Sequence, residues 1–300
     1  MRQLGLLAIL VAVSVAAVAC GARSEPRGQI SPSYPVTVAG AAGALTVPAR
    51  PTRIVALDPG AAEIVAALGA ADSLVGVPAG VSLPPSAHPL EVVAPSGQID
   101  VAKAVSLRPD LVIASRETDP VDVAQIVQRS KASLYTQPTS TIDDVRRAVI
   151  ALGFVVGQPV AARNLNAELK AQVAAVKARL ANVSPATVFV DNGLFLTIDK
   201  QSILADLVTE AHGQNIATDS GLGPFPIEQL RTANPQVYLT TSNSGVTLDS
   251  LRRDPETRDL QAVKQGRVVV LPADLVTRAG PNVGQALQRV AAALHPDAFR

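Results

Sequence analysis

AKAVSLRPDLVIAS (102–115) and EQLRTANPQVYLTT (228–241) lie over one another without a gap: Pro109 falls on Pro235, and the apolar runs that follow keep register. Each reads as a short helix, a proline-marked turn and a buried strand. Outward from the first copy lies RIVALDPGAAEIVAALGAADSLVGV (53–77), a strand, the breaker Asp58-Pro59-Gly60, and a helix that stops at Gly69. Beyond it come a short strand in KASLYT (131–136) and a helix in IDDVRRAVIALG (142–153). Around the second copy the order repeats: strand ATVFVDN (186–192), helix QSILADLVTEAHG (201–213), strand GRVVVL (266–271), helix VGQALQRVAAAL (283–294). Strands alternating with helices predict an α/β layer structure with largely parallel sheets. The repeated order predicts two lobes, 51–158 and 184–300.

Between the halves, Leu165, Leu169, Val173, Val176 and Leu180 recur at spacings of four, four, three and four. That is one helical stripe. With Pro159 at its start and Asn182 and Pro185 past its end, the segment 159–183 is expected to be a single rigid helix of about 22 residues, some 33 Å long at 1.5 Å per residue. It would bridge the lobes and restrict their relative motion.

Composition narrows the function. The 300 residues carry a net charge of +1, aromatic content is 3%, and Trp is absent. A near-neutral chain has no electrostatic reason to bind nucleic acid. No phosphate-cradling glycine loop, H-E-x-x-H, calcium loop or G-x-S-x-G elbow occurs. His88, His212 and His295 stand apart from one another and from carboxylates at ligand spacing, so they read as structural, and no directly bound metal or cofactor is expected. The protein does not read as an enzyme.

Residues 1–19 have Arg2, an apolar run from Leu4 to Val18 and small residues before the single cysteine, Cys20. They read as an export signal, too short to remain as a membrane helix. Cys20 after Ala17-Val18-Ala19 resembles a bacterial lipobox, which implies a lipid anchor and a place at the outer face of the cytoplasmic membrane or in the periplasm. Residues 20–50, rich in Gly, Pro, Ser and Ala with one β-like stretch, PVTV, read mostly as a tether.

Ligands of open α/β sheets bind outside the carboxyl ends of the strands. The loops there carry Asp58, Arg116 and Tyr135 in the first lobe and Phe195, Phe225 and Arg278 in the second. These are the candidate ligand-binding residues, with the two arginines placed for charge-assisted bonds and Tyr135 and Phe225 for apolar contact.

Five segments in this order, 53–77, 96–115, 203–217, 226–239 and 262–271 followed by 278–299, resemble the substrate-binding proteins of bacterial ABC importers for iron-siderophores, haem and cobalamin. The resemblance implies two α/β lobes on one rigid helix, a ligand cleft between them, a monomer and an ABC permease as partner. A ferric siderophore is the first expectation, because cobalamin sites of the family resemble aromatic-lined pockets and this chain has no Trp. Haem would need an axial Tyr or His, for which Tyr135 is placed. The family docks through one surface Glu per lobe. Glu228 matches in the second lobe, whereas Ala102, beside Lys103, occupies the first-lobe position. That departure leaves open an envelope interaction protein that has lost transport.

Overall fold

A computed structural model describes residues 32–84, 90–95, 97–217 and 223–300. The leader and Cys20 lie outside them, as do His88 and Ser96. The first lobe runs β1 (Val36–Gly40), β2 (Gly43–Val47), β3 (Ile54–Ala56), α1 (Pro59–Ala67), β4 (Leu74–Pro78), β5 (Glu91–Ala94), α2 (Val101–Ser106), β6 (Leu111–Ser115), α3 (Pro120–Ser130), β7 (Ser133–Gln137) and α4 (Ile142–Val155). The bridging helix is α5 (Pro159–Leu180). The second lobe runs β8 (Ala186–Asp191), α6 (Ile203–Glu210), β9 (Gly213–Asn215), α7 (Ile227–Ala233), β10 (Val237–Thr241), α8 (Leu248–Arg253), α9 (Gln261–Lys264), β11 (Val268–Leu271), α10 (Ala273–Val276) and α11 (Val283–Leu294).

Two all-parallel sheets form, in the orders β5-β4-β3-β6-β7 and β11-β10-β8-β9. The repeat seen in the sequence reappears in the backbone. Arg108 and Asn234, each just before the aligned proline, both adopt positive φ, 48° and 44°, to turn a short helix into a strand. β6 and β10 then pair with the first strand in sequence of their own parallel sheets, β3 and β8.

The period-two pattern of buried strands sorts side chains onto two faces. Ile54, Leu111, Ile113, Val188, Val190, Val237 and Leu239 point into one cluster; Val55, Val112 and Ala114 point into a second, and Phe189 and Tyr238 into a third. The first cluster is continuous across both lobes and takes in Leu169, Val176 and Leu180 of α5. Helix α5 lies against α4 and α11, and at Gly284 of α11 a Cβ would overlap the Gln172 side chain, at 1.9 Å from its Oε1. A shared core and so close a crossing leave no slack for a wide hinge.

The tether expected over 20–50 needs correction. Residues 36–47 form an antiparallel hairpin, with Val36 paired to Val47 and Val38 to Leu45. Val36, Val38 and Val47 enter the main core, Ala41 N–H bonds the Thr136 carbonyl, and Tyr34 Oη donates to the Val155 carbonyl at 2.6 Å. The alternation in VTVAG and GALTV carries this. It is short and dominated by Ala and Gly, so PVTV alone stood out.

Candidate functional site

The carboxyl ends of the central strands of both sheets face one cleft. Leaving β3, the chain meets Asp58, whose Oδ1 accepts the Ala61 N–H at 2.9 Å and caps α1, with Pro59 opening the helix. Leaving β6 it gives Arg116 and Glu117; leaving β8, the turn from Asn192 to Thr197; after α10, Thr277–Ala279. A cavity of about 410 Å³ lies between the lobes, lined by Asp58, Glu117 and Thr139 on one side and Asn192, Asp199, Ser202 and Arg278 on the other. A neighbouring cavity of about 610 Å³ shares Asp58, Pro59 and Glu117 and extends over the first sheet to Asp119 and Asp122. A larger groove of about 810 Å³, between β1, α4 and α5, is separate from this cleft and shares no lining residue with either.

Both arginines of the cleft are already paired. Arg278 Nη1 donates to Glu63 Oε1 at 2.6 Å and its Nη2 to the Gly80 carbonyl at 2.8 Å. Glu63 is 5% exposed and also accepts the Ser82 N–H. The pair joins the second lobe to α1 of the first. It sits where backbone meets backbone: a Cβ on Gly60 would lie 2.6 Å from the Ala279 carbonyl oxygen, and Gln137 Nε2 donates to that same oxygen at 2.8 Å. Arg116 reaches across the mouth. Its guanidinium bonds Asp199 and the Gln201 Oε1, the latter at 2.7 Å, and lies 3.3 Å from Glu117. Glu117 in turn accepts the Thr139 hydroxyl.

The cleft is therefore acidic in balance. Asp58, Asp119 and Asp122 line it in addition to Glu117 and Asp199, which meet the charge of Arg116, while Glu63 meets that of Arg278. Burial raises the Asp58 carboxyl above the ordinary carboxylate range, opposed by its hydrogen bonds to Ala61 and Ser115.

Of the residues expected at the ligand, Asp58 and Arg278 line the cavity, and Arg116 stands at its mouth. Tyr135 does not: it is 1% exposed, belongs to the main core and has no partner for its hydroxyl. On β7 its side chain faces α4 and the hairpin, the consequence of pleat parity that a loop-end reading overlooked. Phe225 is also corrected. It is buried with Phe189, 5.4 Å between ring centroids, and Phe189 in turn packs edge-on with Tyr238 at 5.3 Å. Phe195 is half-buried against the same cluster. Glu228 is exposed in the first turn of α7, 3.5 Å from Arg231. Ala102 is exposed on α2, and its neighbour Lys103 bonds Glu91 of β5 at 2.7 Å. His212 and His295 contact the carbonyls of Val183 and Ala211, away from the cleft. Among the described residues no group of three or more His, Cys, Asp or Glu side chains could hold a metal ion.

Sequence reading gave no binding role to Glu63, Glu117, Thr139 or Asp199. Glu63 alone carried a signal, a charge inside the otherwise apolar AAEIVAAL, which calls for a buried partner.

Two parallel α/β lobes on one helix with a polar cleft between them are the architecture of a solute-binding protein. The chain belongs to the periplasmic binding protein family, whose profile matches residues 54–275. It is 26% identical to an uncharacterized ABC transporter substrate-binding lipoprotein, YvrC, of Bacillus subtilis, over 100% of this chain and 99% of the relative. It is 28% identical to a vitamin B12-binding protein of Vibrio cholerae, over 82% of this chain and 90% of the relative. Among solved structures, the vitamin B12-binding protein BtuF of Vibrio cholerae superposes with a TM-score of 0.72 at 26% identity, covering 84% of this chain and 99% of that one. The apo haem-binding protein RhuT of Roseiflexus sp. RS-1 gives 0.72 at 25%, covering 82% and 98%. These relatives bind solutes, and the protein is not an enzyme.

Proposed function

We propose that this protein captures a corrinoid in the cleft between its lobes and hands it to an ABC permease. The observation that carries the reading is the pairing of both cleft arginines with carboxylates. Haem propionates and anionic ferric siderophores are held by cations; here Arg278 could meet them only by breaking its buried pair with Glu63, whereas Arg116 sits in an exposed pair that costs little to open. A corrinoid brings its metal already ligated in the ring and presents a rim of amides, whose N–H groups suit acceptors such as Asp58, Glu117 and Asp199. Among the described residues, no Tyr or His lines either cavity. The vitamin B12-binding relatives add weight. The ferric siderophore expected from the lack of Trp is the second reading, and a cationic complex would suit the acidic cleft better than an anionic one.

Export, lipid attachment at Cys20 and a place outside the cytoplasmic membrane complete the proposal, supported by the lipoprotein among the relatives. Glu228 would meet the permease; with Ala102 opposite it, the first lobe would dock with less charge, and an envelope interaction role without transport is the alternative. Isothermal titration of the soluble body with cyanocobalamin, hemin and an anionic ferric tris-catecholate tests the ligand. Binding of cyanocobalamin alone supports the corrinoid; binding of hemin or the tris-catecholate with no cyanocobalamin uptake overturns it.

A further inference from the structure

The turn that leaves β8 is held in a conformation its own sequence does not favour. Gly193, Leu194 and Phe195 follow one another at φ of 105°, 54° and 59°. Glycine accepts such angles freely; a leucine and a phenylalanine do not, and neither has a polar side chain to repay the backbone locally. The turn also leaves Leu194 81% exposed, while its neighbour Phe195 packs against the aromatic cluster.

What holds it is a buried carboxylate. Asp191, at the end of β8, is 1% exposed. Its Oδ1 accepts the Gly193 N–H at 2.8 Å, its Oδ2 accepts the Tyr238 hydroxyl at 2.6 Å, and the Phe195 N–H also bonds the carboxylate. The turn closes on itself through Asn192 N–H to the Leu196 carbonyl at 2.7 Å and is pinned from outside by Phe225 N–H to the Phe195 carbonyl at 2.8 Å. The two residues that flank it, Asn192 and Thr197, line the cleft. Strain maintained by surrounding structure beside a ligand cleft points to a role for the strained residue.

We propose that Asp191, buried with Tyr238, is a positioning residue that locks the turn 192–197 in its left-handed form and so presents Leu194 as a specificity-determining apolar contact for the bound ligand. The proposal rests on the reading of the cleft as the ligand site. A corrin or porphyrin plane offers such a contact a broad apolar surface; a compact polar complex does not.

The test separates the turn from the ligand class. Leu194→Gly and Leu194→Asn both suit positive φ and delete the apolar tip. They should weaken the ligand that the wild-type protein binds, among cyanocobalamin, hemin and the ferric tris-catecholate, by tenfold or more, while melting temperature stays level or rises. A merely structural residue would not lose affinity and gain stability together. If hemin or the tris-catecholate binds in place of cyanocobalamin, the corrinoid reading fails and the turn is tested on the ligand that does bind. Amide hydrogen exchange needs no ligand: in Asp191→Ala and Tyr238→Phe, exchange at Gly193, Leu196 and Phe225 should quicken at least tenfold, less in Asp191→Asn, which keeps one acceptor. Affinity within twofold of wild type for both Leu194 variants, or unchanged exchange in Tyr238→Phe, overturns the proposal.

Discussion

Replacing Glu63 by Gln keeps the shape of the side chain and one acceptor for the Ser82 N–H but removes the charge that faces Arg278. Arg278 is 19% exposed. It would keep the Gly80 carbonyl and a neutral amide oxygen in place of the carboxylate. Removing one member of a fully buried ion pair costs about 3–5 kcal/mol; residual exposure and the remaining carbonyl lower the expectation to about 2–3 kcal/mol. With an unfolding entropy of about 2.1 cal/mol/K per residue over the body Ser31–Arg300, this corresponds to a fall in Tm of about 4–5 °C. Arg278→Gln should cost a similar amount, and the double variant clearly less than their sum, a coupling of about 2 kcal/mol. Thermal unfolding by circular dichroism, with urea titration for the cycle, measures it. A coupling below about 0.5 kcal/mol would refute the pair as the tie between lobes. So would an Arg278→Gln protein of unaltered stability that binds its ligand tenfold more weakly, because Arg278 would then serve the ligand and not the fold.

Three further outcomes follow from the same structure. Asp58→Asn keeps the cap on α1 but removes a carboxylate whose proton is held more tightly folded than unfolded, through burial. Such a group favours folding at and below the ordinary carboxylate range and loses that contribution as pH rises through its raised value, so the variant should melt higher than wild type at pH 7, with the gap closing toward pH 4 in a Tm series. Tyr135→Phe removes a buried hydroxyl without a partner, so stability should rise or stay level, by up to about 1 kcal/mol, and ligand affinity should not change; a tenfold loss in titration would return Tyr135 to the site. Cys20→Ser should shift the protein from the membrane pellet to the soluble fraction after leader cleavage; continued sedimentation with membranes would rule out lipid attachment at that residue.

The lobes were legible because their evidence is repeated and local: an apolar run with a proline turn, written twice at one spacing, and a helical stripe over 159–183. The hairpin at 36–47 was less so, because Ala and Gly blur the alternation that marks a strand. At the site, chain ends of strands located the cleft and Asp58, yet pairing across the lobes is a property of two distant segments. Nothing near Arg278 in the sequence names Glu63, 215 positions away, or attaches Arg116 to Asp199. Tyr135 and Phe225 were misplaced for a different reason. A loop-end position does not say which face of the sheet a side chain takes, and burial of an aromatic ring outweighs its proximity to a cleft.

The central claim is that a cleft with its cations already paired takes a corrinoid in preference to an anionic iron ligand. Native mass spectrometry of the soluble body, mixed with equal amounts of cyanocobalamin, hemin and an anionic ferric tris-catecholate, puts the three in direct competition. The account predicts one dominant adduct at the mass of cyanocobalamin, still dominant in Arg116→Gln. A dominant adduct of hemin or of the tris-catecholate would contradict it.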